Sequence, residues 1–487
     1  MTTVETPQAR CNVGVARCDI TPPPGIYHRM WGAAAHDRAT GVHRPLTATA
    51  VVFRDPAHPF NEVPQATAEQ VLVAVDHCLL WAPEMNALLT TVCQQASVSR
   101  ESLAVNFSHT HAAGLMDRKR SHLPGGELIA EYLEGLAVSI ARVVQAARQQ
   151  AQPAIITFGA GRCPLAAHRD FPDLASKQIV CGFNPDGPTD DTIVIARISA
   201  SDGRLLACIV NYACHPTTLA WDNTLISPDF PGAMRELVEG STGAPCVFLQ
   251  GASGDIGPRE GFVGDTAVAD RNGRQLGHSV LAALEALPPP LTRFAYKGPT
   301  ISGATIGTWE HRPLRAEDLA RLERWHVRRF TVDLPYRGDI RTLEKTRQEL
   351  EDWSAQERAA RAAGDAARAA DCRAMAERMT RWLTRLEVLP PGPTFPLPVV
   401  MWQTGQAIWL ALEGELYNVF QRELRNRFPG VPIVFCTLLN GSRCTYLPTA
   451  EAYGKGIYQE SIAVLAAGSL EMLLASVTTQ VQQMLEV

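Results

Sequence analysis

Long apolar runs are missing from this 487-residue chain. No stretch of about 18 uninterrupted apolar residues occurs, so no membrane span is expected. Blocks of Lys and Arg are missing too. The 45 basic and 50 acidic residues give a formal net charge of -5, which offers no footprint for a nucleic-acid partner. The N-terminal "MTTVETPQARCNVGVARCDITPPPG" lacks the basic start and apolar core of a signal peptide. The 12 cysteines are scattered, with no C-x-x-C pair, and Cys78, Cys208, Cys246 and Cys436 lie in apolar runs. They read as reduced core residues of a cytoplasmic protein. There is no internal repeat, and no low-complexity tract beyond one Ala/Arg-rich stretch.

The chain does have the material for a large core, with 46% hydrophobic residues. Short apolar runs at 48–53, 70–76, 102–107, 154–161, 191–198, 205–212 and 245–250 read as strands. Helical spacing appears at 125–150 and 270–287. This alternation predicts an α/β (α+β layered) fold: a mixed β-sheet core with flanking helices. Residues 313–388 differ in kind, being rich in Arg, Glu and Ala. Apolar residues Ile340, Leu343, Leu350 and Trp353, then Cys372, Met375, Met379, Trp382 and Leu386, recur at helical spacing. They predict a helical hairpin inserted into a domain made of 1–312 and 389–487. Its charges read as a solvated face and its stripe as packing, onto the body or between subunits of a homo-oligomer. Strands at 406–412 and 431–439, a helix at 415–427 and a final helix at 459–485 follow.

Several predicted strands end in polar residues. "SLAVNF" runs into "SHTHAAG", where His109 and His111 stand two apart. If strand geometry continues there, both imidazoles project to one side and Thr110 to the other. Two surface histidines on a loop would have the same spacing. "LLACIVNY" leads to His215, "PCVFLQ" to Ser253 and Asp255, "QAIWLAL" to Glu413 and Glu415, and "VPIVFCTLL" to Tyr446. Ligands bind outside strand ends in layered α/β folds. Two histidines from different strand ends, a carboxylate and a phenol make a zinc set with an open position for water. Asp76, Asp229 and Asp255 read as structural carboxylates. "GASGD" lacks the second glycine of a G-x-S-x-G nucleophile elbow, so Ser253 reads as part of a tight loop rather than as a nucleophile.

Taken in order, these segments resemble the neutral/alkaline ceramidase family of zinc-dependent amidases. "VGVARCDITPP" and "TGVHRPLTATAVVF" are similar to its N-terminal segments, and "SHTHAAG" to its T-H-T-H-S-G. "NYACHPTTL", "NTLISPDFPG", "FLQGASGDIGPR", "EGE" and "TYLPTAEAYGKGIYQES" follow in the family's order. The resemblance spans most of 12–300 and 398–465. It implies zinc held by His109, His215, Glu415 and Tyr446, with His111, Arg169 and Tyr458 as catalytic residues beside the metal. Gly257 stands where the family has a serine, so a mechanism using that serine cannot operate here. The family's C-terminal immunoglobulin-like domain has no counterpart, and the 313–388 insertion is an addition.

The expected chemistry is attack of a zinc-activated hydroxide on the carbonyl of an N-acyl amide, on a substrate smaller or more soluble than ceramide. An ester or lactone could be cleaved by the same centre. A non-catalytic, metal-stabilised binding protein that works through its hairpin is the alternative from another class.

Overall fold

The structure is a computed structural model that describes residues 2–58 and 65–486. Its centre is two face-to-face sheets. The larger runs in the order Cys246–Gln250, Leu205–Tyr212, Thr192–Ala200, Gln152–Arg162, Gln8–Asp19, Thr47–Arg54, Glu69–Val75 and Leu103–Phe107. Its inner pairings are antiparallel, and the outermost pair at each edge is parallel. The smaller sheet runs Trp325–Pro335, Thr394–Thr404, Ala407–Leu412 and Ile433–Cys436, again with a parallel pair at one edge.

Strand alternation explains the layering. In Thr47–Arg54, Ala48, Ala50 and Val52 pack on helices Ala82–Ala96 and Ile129–Gln149, while Val51 and Phe53 face the smaller sheet. Helices Phe230–Thr242 and Thr266–Glu285 cover the rest of that outer face. Between the sheets, Trp402 and Trp409 stack with ring centroids 5.7 Å apart. On the far face of the smaller sheet, Ile408, Leu410, Phe435 and their neighbours meet helices Val419–Arg427, Ser469–Leu485 and the inserted helix Ala366–Leu386. The result is an α/β fold of four layers. No helix among the described residues is long and apolar enough to cross a membrane. The 12 cysteines are unpaired, and Cys78, Cys208, Cys246 and Cys436 are buried.

The second sheet corrects the sequence expectation for 313–388. Helices occupy only Leu343–Ala362 and Ala366–Leu386. Residues Trp325–Pro335 form a strand because Phe330, Val332 and Leu334 alternate with Arg329, Thr331 and Asp333, and turn their apolar side to the core. Their partner strand contains Pro396 and Pro398, a residue type that ordinarily argues against a strand. Both pair only with Trp325–Pro335 and lie beyond the reach of Ala407–Leu412, so the missing N–H groups cost no ladder bond. The final helix begins at Ser469, later than its spacing suggested.

The larger sheet curls until Cys246–Gln250 at one edge lies against Leu103–Phe107 at the other, with Ile433–Cys436 beside them. Buried asparagines stitch the junction. Asn211 donates to the carbonyls of Leu249 and Phe435 at 3.0 and 2.7 Å, and Asn440 accepts from the Val105 N–H at 2.9 Å. Strand ends from both sheets are thereby brought to one place.

Candidate metal centre

His109, His215, Glu415 and Tyr446 all follow the carboxyl end of a strand in a parallel pair. His109 follows Leu103–Phe107, but not as a strand continuation: it has φ 68°, in the left-handed region. The extended geometry expected for S-H-T-H therefore stops at Phe107, and this backbone reversal turns the His109 ring inward. Thr110 is tied down separately, donating to the Ser227 carbonyl at 2.8 Å. Left-handed backbone also precedes two of the other three ligand candidates. Gly414, just before Glu415, has φ 99°, and a Cβ there would meet Leu447 at 2.8 Å; Thr445, just before Tyr446, has φ 60°. Such backbone persists where the surrounding structure over-determines it, commonly at functional sites. Glu415 and Tyr446 then pair as neighbouring parallel residues.

Each buried histidine is fixed from behind. His109 Nδ1 donates to the Cys78 carbonyl at 2.7 Å, and His215 Nδ1 to the Ser253 carbonyl at 2.6 Å. A carbonyl oxygen can only accept, so both Nδ1 atoms carry hydrogen and both Nε2 atoms point to the centre. There the Glu415 carboxylate oxygen lies 3.3 Å from His109 Nε2 and 3.1 Å from His215 Nε2. The Tyr446 hydroxyl is 3.3 Å from His215 Nε2. Ligand atoms of His109, His215 and Glu415 all fall within 4.8 Å of one another.

Among the described residues, His109 Nε2 and His111 Nε2 are buried with no aligned hydrogen-bond partner. The buried Nε2 atoms of His109 and His215 converging on one carboxylate fit a divalent cation, and the nitrogen and oxygen set suits zinc. Cys78, His109 and His111 form a second possible group. There the thiol is 3.5 Å from His109 Nδ1, the atom already committed to the Cys78 carbonyl. The first group keeps both backbone locks intact.

The electrostatics agree. Burial and then the Arg169 charge push His215 down to about 3, leaving a neutral imidazole. Burial, then His109 and His215, hold His111 well below its ordinary value. Burial works against ionisation of Glu415, but His109 and His215 outweigh it and keep the carboxyl well below the usual range. Burial likewise disfavours the His109 imidazolium, yet the Cys78 thiol and Glu415 carboxylate raise it well above normal. The carboxylate thus calls for positive charge at this point.

His111 packs against His109 at 4.9 Å between ring centroids and against Trp31 at 5.1 Å. Tyr458 is half exposed, with its ring 5.9 Å from that of Tyr446. His109, His111, Glu415, Tyr446 and Tyr458 share a cavity of about 250 Å³. Arg169 lies behind them. Its guanidinium carbon is 5.3 Å from the Tyr446 ring centroid, and it donates to the Gly254 carbonyl at 2.6 Å.

The neighbouring polar groups have structural partners. Ser253 is buried behind His215, its hydroxyl 2.5 Å from Gln250 Nε2. Asp255 accepts the Asn418 N–H at 2.6 Å, and burial pushes its carboxyl up to about 7. Asp76 grips Arg235 through bonds of 2.9 and 2.6 Å. Asp229 caps helix Phe230–Thr242 and accepts the Leu219 N–H at 2.9 Å. Glu413 is turned to Arg443, 2.7 Å away.

The Cys78 and Ser253 carbonyls carry no signal in the sequence, because any residue has one. The cavity roof was also missed. It comes from Ala366–Leu386, whose charges read as a solvated face; Arg385, one of them, is buried beside Trp382 of the apolar stripe.

Over 98% of its length this chain is similar to a crystal structure of neutral ceramidase from Pseudomonas aeruginosa, covering 74% of that chain at TM-score 0.64 and 17% identity. It is also similar to a structure described as ceramidase complexed with C2, over 97% of this chain and 74% of that one, at TM-score 0.63 and 15% identity. The fold is therefore that of neutral ceramidase, as the ordered motifs indicated. No family model matches the sequence, and no curated protein matches it.

Proposed function

We propose that this chain is a zinc-dependent amidohydrolase that cleaves an N-acyl bond, on a substrate smaller or more soluble than a long-chain ceramide. The observation that carries this reading is the convergence of two backbone-locked imidazoles on the Glu415 carboxylate, at 3.3 and 3.1 Å, beside the cavity. His109, His215, Glu415 and Tyr446 would hold the ion. Zinc held there would supply a Lewis acid and lower the pKa of a water toward about 7.

The remaining steps belong to side chains. His111, whose Nε2 has no hydrogen-bond partner among the described residues, takes a proton from the attacking water and returns it to the leaving nitrogen. Tyr458 donates its phenolic hydrogen to the oxyanion that develops on the carbonyl. Arg169 acts through Tyr446 and the Gly254 loop, as a positioning residue. The cavity of about 250 Å³ under a helix bearing arginines favours a compact, polar-ended substrate.

Metal analysis of the purified protein, with assays on matched N-acyl amines, esters and lactones, tests this reading. It requires zinc at about one per chain, activity abolished by chelation and restored by zinc, and turnover of the amide. Turnover of esters or lactones alone would move the assignment to an esterase or lactonase with the same centre. Tyr458→Phe should lower kcat on the order of 10²-fold with zinc content unchanged, because one oxyanion donor is lost. An unaltered kcat would remove Tyr458 from that role.

A further inference from the structure

The inserted helix Ala366–Leu386 presents Ala374, Glu377, Arg378, Arg381, Trp382 and Arg385 to the same cavity as the histidines. These positions fall on one side of a helix. Glu377 binds Arg120 at 2.7 Å and Arg381 at 2.8 Å, and Arg381 also donates to the Met30 carbonyl. Arg378 is exposed to solvent. Arg385 is neither paired nor solvated. It is 7% exposed, its Nε is buried without a partner, and its side chain makes no hydrogen bond or ion pair among the described residues.

Arg385 is instead held by aromatic faces. Its guanidinium carbon lies 4.8 Å from the Trp382 ring centroid and 6.0 Å from that of Trp81. Trp81 and Trp382 line the cavity with it. A buried charge without a counter-ion is costly, and the planar edge of a guanidinium matches a carboxylate through two parallel hydrogen bonds.

We propose that Arg385 reads a carboxylate on the substrate, so that the amide cleaved at the histidine cluster belongs to an anionic molecule of the N-acyl amino acid or dicarboxylic monoamide type. This rests on the amidohydrolase reading for the scissile bond, but not for the anion site. The clustered metal ligands and the arginine stand on different walls of one cavity, so the carboxylate lies apart from the bond that breaks. Arg385 is a specificity residue and takes no part in the chemical step.

The test compares three amides on the zinc-loaded protein: N-hexanoylglycine, adipic acid mono-N-methylamide and neutral N-hexanoylmethylamine. The first carries its carboxylate on the leaving amine and the second on the acyl arm. Wild type should favour one of the two anions over the neutral amide by about tenfold or more in kcat/KM, as expected where a built polar site meets its partner. Arg385→Gln should bring that ratio to within about threefold of one, and Arg385→Lys, which keeps the charge but loses the fork, should fall between. Equal use of all three amides by wild type, a preference for the neutral one, or a ratio that survives Arg385→Gln would overturn the proposal. Calorimetric titration with N-hexanoylglycine and with adipic acid mono-N-methylamide separates the two readings. If no amide is hydrolysed but binding of either anion is lost in Arg385→Gln, the anion site stands and the amidohydrolase reading falls. Equal binding of both anions by wild type and Arg385→Gln sinks the anion site alone.

Discussion

Alanine at His109 or at His215 is expected to strip both zinc and activity from the protein, whereas alanine at His111 should leave the zinc and remove turnover. The distinction follows from how the three rings are held. His109 and His215 are locked through Nδ1 to the Cys78 and Ser253 carbonyls and aim Nε2 at Glu415. His111 has no such lock, and its ring lies 6.0 Å from that of His215. Removing a general acid and base lowers rates by about 10²–10⁴-fold, so His111→Ala should retain a trace of activity at full metal content. The two ligand variants should have none that added zinc at ordinary concentrations restores. Metal content by mass spectrometry beside kcat/KM decides the matter. Loss of metal from His111→Ala with retention in His109→Ala would exchange their roles.

Glu377→Ala should be the most destabilising change in the insertion. Glu377 lies against Arg120 and Arg381, and the Arg120 side chain is only 3% exposed. Without the carboxylate, Arg120 keeps Asp117, whose oxygen is 3.6 Å from its Nε, and the Tyr27 hydroxyl, 3.3 Å from its Nη1. Breaking one side of a buried pair costs about 3–5 kcal/mol, readable as a fall in the urea midpoint. The effect depends on pH with a definite sign. Burial pushes the Glu377 carboxyl up, but Arg381 and then Arg120 outweigh it and bring its pKa down to about 2. A depressed carboxyl contributes stability that is fully present above its unfolded value of about 4.5 and fades as pH falls toward about 2. The gap between wild type and Glu377→Gln should therefore be flat above about pH 5 and narrow through that window. A gap independent of pH would show that the ionised pair is not what stabilises the insertion.

Strong local periodicity made much of the fold legible from residues alone. The strands through Val51, Val73, Val105, Ile195, Ile209 and Phe248 stand where alternation and apolar runs put them. The second sheet was harder, because its strands Trp325–Pro335 and Thr394–Thr404 carry arginines and prolines that ordinarily argue against a strand. Their pairing is rescued by position: the arginines lie on an outer strand, and the prolines where only one neighbour is present. The strand ends that converge were also legible, since polar residues stand directly after apolar runs. Three features were not. The reversal at His109 depends on a tertiary backbone conformation that histidine rarely adopts. The carbonyl locks carry no side-chain signature. Arg385 sits in a charged helical stripe whose inner and outer faces have similar composition, so burial alone singles it out.

The cavity has two genealogies in the chain. Its floor is assembled from loops hundreds of positions apart, whereas much of its ceiling belongs to one uninterrupted helical hairpin, Leu343–Leu386, anchored to the body by ion pairs such as Arg373 with Asp37 and Lys119 with Glu387. Grafting a different hairpin between its two junctions would replace the ceiling as a cassette and leave every cation-facing atom in place. Diversification of what the pocket admits can thus proceed by exchange of a single contiguous segment.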